Sequence, residues 1–140
     1  MRVVLDTNVL IAAFVSPKGF ASRVLDLWIE GEYELVTSSW QIEEFRRVSR
    51  YDRVKKRIEP HEVGTFVNAL REHAIVIEDL PSIDVSPDPD DNPIVATAIA
   101  GAAQYLVSAD KRDVLDLGAV AGVRILTIGD FMGLFEKSQQ

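Results

Sequence analysis

Carboxylates carry most of the chemistry this sequence offers. Asp6 closes the run Arg2-Val3-Val4-Leu5, whose β-branched residues predict a short strand, and Asp110 stands three residues past Val107, the last apolar residue of a second predicted strand, Tyr105 to Ser108. In open α/β sheets ligands bind at the carboxyl ends of the strands, so these two distant acids are expected to share one edge. Asp91 opens the stretch Ile94 to Ala103, apolar on every side apart from Thr97 and Gly101. That pattern predicts a helix buried on most of its surface, with Asp91 at the rim of the core. The fourth acid is a glutamate. Helical residues four apart share a face, which puts Glu44 in a row with Trp40 and Val48, turned inward. Glu43 shares its row with Arg47 and is assigned to solvent as an ion-pair partner.

Four carboxylates in one pocket repel one another. At about 4 Å and an effective dielectric near 20, each pair costs roughly 4 kcal/mol before relaxation or protonation. A positive counter-ion is therefore expected. The chain has no cysteine and only 2 histidines, which excludes Cys-ligated zinc, iron–sulfur clusters and thiol nucleophiles and leaves hard oxygen ligands, suited to Mg²⁺ or Mn²⁺. Such ions polarise a phosphate and activate water for in-line displacement. Each acid also has a plainer use. Asp6 with Thr7 and Asn8 suits the cap of one helix, and Asp91 that of another, as well as either suits a metal. Asp88 and Asp90, around Pro89, read as turn residues ahead of metal ligands. Asp113, Asp116 and Asp130 read as caps or surface acids. Only the joint placement raises the metal reading above these uses.

The elements that must position the acids follow from periodicity and punctuation. Further helices are predicted from Asn8 to Phe14, from Gly19 to Glu30 with Gly31 as the stop, and from Trp40 to Ser49 with Ser38 or Ser39 as the cap. Others run from Pro60 to His73 and from Ile128 to Phe135. Strands are predicted at Tyr33 to Val36, Ala74 to Ile77 and Val123 to Leu126, and Ser82 to Pro93 is the loop-richest segment. Strands alternate with helices almost throughout, which predicts an α/β layered domain with a mostly parallel sheet.

With 140 residues, 47% of them hydrophobic and 26% charged, the chain is expected to form one globular domain over residues 1–140. No apolar run approaches the roughly 20 residues that span a bilayer, and Asp6 and Asn8 interrupt the place of a secretory signal, so a cytoplasmic, non-membrane protein is expected. The formal charge of -7 disfavours holding nucleic acid by bulk electrostatics. Positive charge is nevertheless concentrated locally. Between Arg46 and Arg57 stand seven basic residues (Arg46, Arg47, Arg50, Arg53, Lys55, Lys56, Arg57) and one acid, Asp52. This run suits a phosphate backbone, with Tyr51 available to stack on a base, and equally suits a solvated face or a protein contact. His61 and His73 flank one predicted helix and are assigned to the surface.

These motifs, in their order, resemble the PIN-domain nucleases. Val3-Val4-Leu5-Asp6-Thr7-Asn8-Val9-Leu10 resembles that family's first strand and acid, and Thr37-Ser38 followed by Glu44 its second motif. Asp88-Pro89-Asp90-Asp91-Asn92 leading into Ala96-Thr97-Ala98 resembles the third, and Leu106-Val107-Ser108-Ala109-Asp110-Lys111-Arg112-Asp113 the fourth. The resemblance covers Arg2 to about Leu126 and is similar, within the family, to VapC-type toxins of toxin–antitoxin pairs. It implies a three-layer α/β/α sandwich with a mostly parallel central sheet, a Mg²⁺- or Mn²⁺-dependent endoribonuclease, a homodimer and a cognate antitoxin. It also implies catalytic and metal-binding roles for Asp6, Glu44, Asp91 and Asp110, with Asp113 as an auxiliary metal ligand. Thr7, Asn8 and Ser38 match supporting polar positions. RNA contacts then fall to Arg46, Arg47, Arg50, Arg53, Lys55, Lys56 and Lys111.

Three rivals share some of these residues. An EF-hand at Asp88 fails, since the sixth position is Pro93 and the twelfth Ile99. An aspartate-nucleophile phosphatase would use Asp6 with Lys111, although such enzymes usually carry a second Asp where this chain has Asn8. A catalytically inactive RNA- or protein-binding module would keep the acids as caps.

Overall fold

The computed structural model describes residues 1–109 and 112–138. In chain order the elements are β1 (Arg2–Leu5), α1 (Thr7–Val15), α2 (Phe20–Ile29), β2 (Glu34–Ser38), α3 (Ser39–Ser49), α4 (Asp52–Lys55), α5 (Pro60–His73) and β3 (Ile75–Ile77). A 3₁₀ turn (Pro89–Asp91) then leads into α6 (Asn92–Ala100), β4 (Tyr105–Ser108), α7 (Arg112–Leu115), β5 (Ala119–Val120), β6 (Val123–Thr127) and α8 (Ile128–Ser138). Among the described residues the strands form one six-stranded sheet in the order β3-β2-β1-β4-β6-β5. Every pairing is parallel except β5 with β6.

Successive strand residues point to opposite faces, and the sheet is covered on both. Val3, Leu5, Leu35 and Val107 pack into a core with α1, α2, α3, α5 and Phe131 of α8. Val4, Val36, Leu106 and Ile125 pack into a second core with Ile94, Val95 and Ala98 of α6 and Val114 of α7. Strands apolar on both faces are what a covered parallel sheet requires. The architecture is the three-layer α/β/α sandwich expected from the sequence.

Boundaries follow local chemistry. Ser38 caps α3, its hydroxyl accepting from Gln41 N at 3.1 Å. Pro60, which has no N–H to leave unpaired, opens α5. The buried helix begins at Asn92 and ends at Ala100, three residues short of the sequence expectation. The chain there turns left-handed at Ala102 (φ 51°), and Ala103 N returns to Ala98 O at 2.9 Å. Gly101 sits where a Cβ would lie 2.4 Å from Val36 Cγ1, so the α6 end touches β2 only because that residue is glycine.

Three short elements were not expected: α4, α7 and β5. The last forms a tight hairpin with β6, in which Ala121 (φ 50°) and Gly122 (φ 84°) both adopt the left-handed conformation. It adds an antiparallel edge to an otherwise parallel sheet.

Candidate active site

The strand order reverses between β1 and β4, since the chain proceeds from β1 to β2 and β3 on one side and adds β4 and β6 on the other. Such a switch point opens a crevice at the strands' carboxyl ends. Asp6 lies in it. Its backbone N–H donates to Val107 O at 2.9 Å, tying the end of β1 to β4, and Ser108 Oγ donates to Asp6 Oδ2 at 2.9 Å. Asp6 is only 1% exposed, and although it precedes α1 its side chain takes no capping bond. The cap use that the sequence left open is thus not made. Thr7, the next residue, is equally buried, and its Oγ1 has no hydrogen-bond partner.

The segment before α6 brings more acids. Asn92 Oδ1 accepts from Val85 N and Ser86 N, both at 3.0 Å, and so folds the 85–92 loop back on itself. Asp91 is 2% exposed, makes no side-chain cap bond to α6, and faces Ser86 Oγ at 3.5 Å. Asp88 does serve the turn, accepting from Asp90 N at 3.0 Å. Carboxylate oxygens of Asp88, Asp91 and Asp113 all lie within 4.8 Å of one another. The N-terminus of α7 therefore meets the loop before α6, although Asp113 stands 22 positions after Asp91.

Glu44 stands on the wall of a cleft of about 530 Å³ that it shares with Asn8, Trp40, Tyr51, Pro89 and Asp90. Its side chain is 17% exposed, whereas Glu43 is exposed, as the helix-row argument required. The expected ion pair is reassigned: Arg47 Nη2 approaches Glu44 Oε2 at 3.9 Å, a one-turn neighbour on the inward side. Asp90 is exposed.

Among the described residues Asp91 and Asp113 are brought together with Asp88, while Asp6 and Glu44 belong to no such tight group. Asp110 and Lys111 lie outside the described residues. Asn8 is exposed at the cleft, but Ser38 is fully buried and faces its own network. A second cluster, Glu59, His61 and Glu62, is largely exposed at the start of α5, and both histidines are on the surface.

The basic run divides. Arg47 lines the acidic cleft, and Arg53 reaches Tyr51 on the same wall. Arg46, Lys55 and Lys56 instead line a separate groove of about 940 Å³ with Ile58 and Val63 between α3 and α5, and Arg50 borders both this groove and a hollow beside Glu44 and Arg47.

Gln41 is the residue that sequence reasoning missed. Fully buried, it donates from Nε2 to Leu5 O and accepts from Thr37 Oγ1 through Oε1, both at 2.6 Å. Ser38 Oγ lies 2.9 Å from Thr97 Oγ1, and Thr97 spends its own proton on Pro93 O at 2.8 Å, so Ser38 is the donor between them. This chain locks the ends of β1 and β2 to α3 and α6, the elements bearing Asp6, Glu44 and Asp91. A polar residue three positions past the Ser38 cap and four before the apolar Phe45 was the available clue.

The donors at this edge are all oxygens, three of them carboxylates held close together, with an unpartnered hydroxyl beside Asp6. That set fits a hard divalent cation and offers nothing to a soft one.

The chain is 26% identical over 112 residues to the uncharacterized protein MJ1680 of Methanocaldococcus jannaschii, covering 79% of this chain and 72% of that one. Its fold is similar to a chain in the crystal structure of VapBC2 from Rickettsia felis bound to a DNA fragment from their promoter. The TM-score is 0.56 at 15% identity, over 91% of this chain and 98% of the other. A family model described as PIN domain matches residues 2–112, which takes in β1, the loop before α6 and β4, and the chain belongs to the PIN-domain family.

Proposed function

We propose that this protein is a ribonuclease that hydrolyses RNA phosphodiester bonds with the help of Mg²⁺ or Mn²⁺, and that it is the toxin of a toxin–antitoxin pair. The observation that carries the reading is the meeting of the Asp88, Asp91 and Asp113 carboxylates within 4.8 Å of one another, with Asp91 buried at the carboxyl edge of the sheet. Carboxylates this close repel one another unless a cation lies among them.

In this reading Asp6, Glu44, Asp91 and Asp110 hold the cation, with Asp113 and Asp88 as auxiliary acids. A divalent ion there would polarise the phosphate and lower the pKa of a water molecule. Ser108 fixes one oxygen of Asp6, and Ser86 faces Asp91, so the acids are oriented before substrate arrives. Asn8 presents an amide to the cleft, where it can donate to a phosphate oxygen. Arg47 pairs with Glu44 and brings positive charge beside the phosphate, as transition-state stabilisation requires. The toxin role, a cognate antitoxin, a homodimer and a cytoplasmic location rest on the likeness of the motifs to VapC-type toxins, and the fold shared with a VapBC2 chain supports them.

The test is cleavage of RNA by purified wild type and Asp91→Asn, with Mn²⁺ and with excess EDTA. The expected result is cleavage by the wild type with Mn²⁺, leaving 5′-phosphate and 3′-hydroxyl ends, and none in the other three arms. Cleavage unchanged in EDTA would refute the proposal. So would hydrolysis of small phosphomonoesters, with a phosphate trapped on Asp6, by a protein that leaves RNA intact.

A further inference from the structure

Tyr51 stands at the joint between α3 and α4, with extended backbone (φ -65°, ψ 143°) and 38% of its surface exposed. Two guanidinium groups hold its ring. Arg47, one turn earlier in α3, donates through Nη1 to the phenol oxygen, and its Cζ lies 5.8 Å from the ring centroid. Arg53, in α4, places its Cζ 5.7 Å from the same centroid. Arg47 grips the ring at its phenol end, and the residue stays partly open to solvent with both guanidinium groups beside it. The ring lines the same cleft as Asn8, Trp40 and Glu44.

An exposed aromatic ring with two cations beside it is an arrangement for an unpaired base and its neighbouring phosphates. Every base has a face to stack, and guanidinium groups neutralise the backbone. Local cations matter more here because the chain as a whole carries -7. Holding the ring at two points before the ligand arrives removes part of the ordering cost of binding. A base-paired strand keeps its bases inside its own stack and cannot use such a ring.

We propose that Tyr51, held by Arg47 and Arg53, is a stacking subsite for one unpaired nucleotide of an RNA strand lying along the acidic cleft. It gives the protein its preference for single-stranded over base-paired RNA. This rests on the ribonuclease reading for the identity of the ligand.

The experiment measures the fluorescence anisotropy of a short labelled RNA of mixed sequence, single-stranded or annealed to its complement, in EDTA so that it stays intact. Wild type, Tyr51→Ala, Tyr51→Leu and Tyr51→Phe are compared, with thermal melting to confirm that each is folded. Tyr51→Ala and Tyr51→Leu weaken single-strand binding about tenfold or more, and Tyr51→Phe keeps it within about twofold. Duplex binding changes by less than about twofold in all of them. Wild-type-like binding by Tyr51→Leu overturns the subsite, as does an equal loss for both RNA forms. So does a wild type that binds neither form, which would leave the ring to a protein partner.

Cleavage with Mn²⁺ separates the two proposals. Tyr51-dependent binding by a protein that leaves RNA intact upholds the subsite and refutes the ribonuclease. Mn²⁺-dependent cleavage whose ratio of single-stranded to duplex rates is unchanged in Tyr51→Leu does the reverse.

Discussion

Three carboxylates within 4.8 Å oppose one another until a cation neutralises them, and Asp113 is the exposed member of the group. Replacing Asp113 by Asn removes repulsion at a position that water already screens, so the metal-free protein should melt about one or two degrees higher. Mg²⁺ or Mn²⁺ should then raise the melting temperature of wild type more than that of Asp113→Asn. A lower melting point for the variant, with no response to metal in either protein, would mean that Asp113 is merely structural. Tyr33 offers an independent residue-scale check, because burial pushes its phenol up and the hydroxyl donates to Val24 O at 2.7 Å. Tyr33→Phe should cost about 1 kcal/mol at neutral pH. The raised folded-state value makes this contribution complete below the ordinary tyrosine pKa near 10 and lost as pH rises beyond it, when the unfolded chain ionises first. Urea denaturation at pH 7 and pH 11 should show wild type losing more stability than Tyr33→Phe over that interval.

At the scale of elements, two short connections fix the frame. Gly101→Ala would place a methyl 2.4 Å from Val36 Cγ1, forcing α6 away from β2 or Val36 out of its rotamer. The expected cost is about 1–3 kcal/mol, read as a lower urea midpoint. In the β5–β6 hairpin Ala121 holds φ 50°, which a Cβ resists, so Ala121→Gly should gain about 0.5–1 kcal/mol by the same measurement. These places also show where sequence reasoning stops. β4 was predicted residue for residue and α5 at its approximate bounds, because a short apolar run and a proline-opened amphipathic turn announce themselves locally. β5 was invisible, since two residues carry no periodicity and Ala-Gly is not the Asn-Gly that marks this turn. α4 hid in a run of basic residues that reads as solvated surface, and its one turn is anchored only by buried Val54. Asp6, Asp91 and Glu44 could be chosen because strand ends and helix rows are properties of sequence. The meeting of Asp88 with Asp113 could not, because it depends on how the loop before α6 folds against α7.

For the whole molecule, the parallel sheet and its switch point gather side chains from the first strand, the third helix and the loop before α6 at one edge. The Gln41 network joins those elements beneath them. Membership of the PIN-domain family agrees with that layout across residues 2–112. No described helix is long and apolar enough to cross a membrane. The account stands on acids distant in sequence sharing one divalent ion, and titration calorimetry with Mn²⁺ on wild type, Asp6→Asn and Asp91→Asn tests that most directly. Saturable binding by the wild type, weakened at least about tenfold in each variant, is the predicted result. Equal Mn²⁺ affinity in all three proteins would contradict it, as would no binding by the wild type.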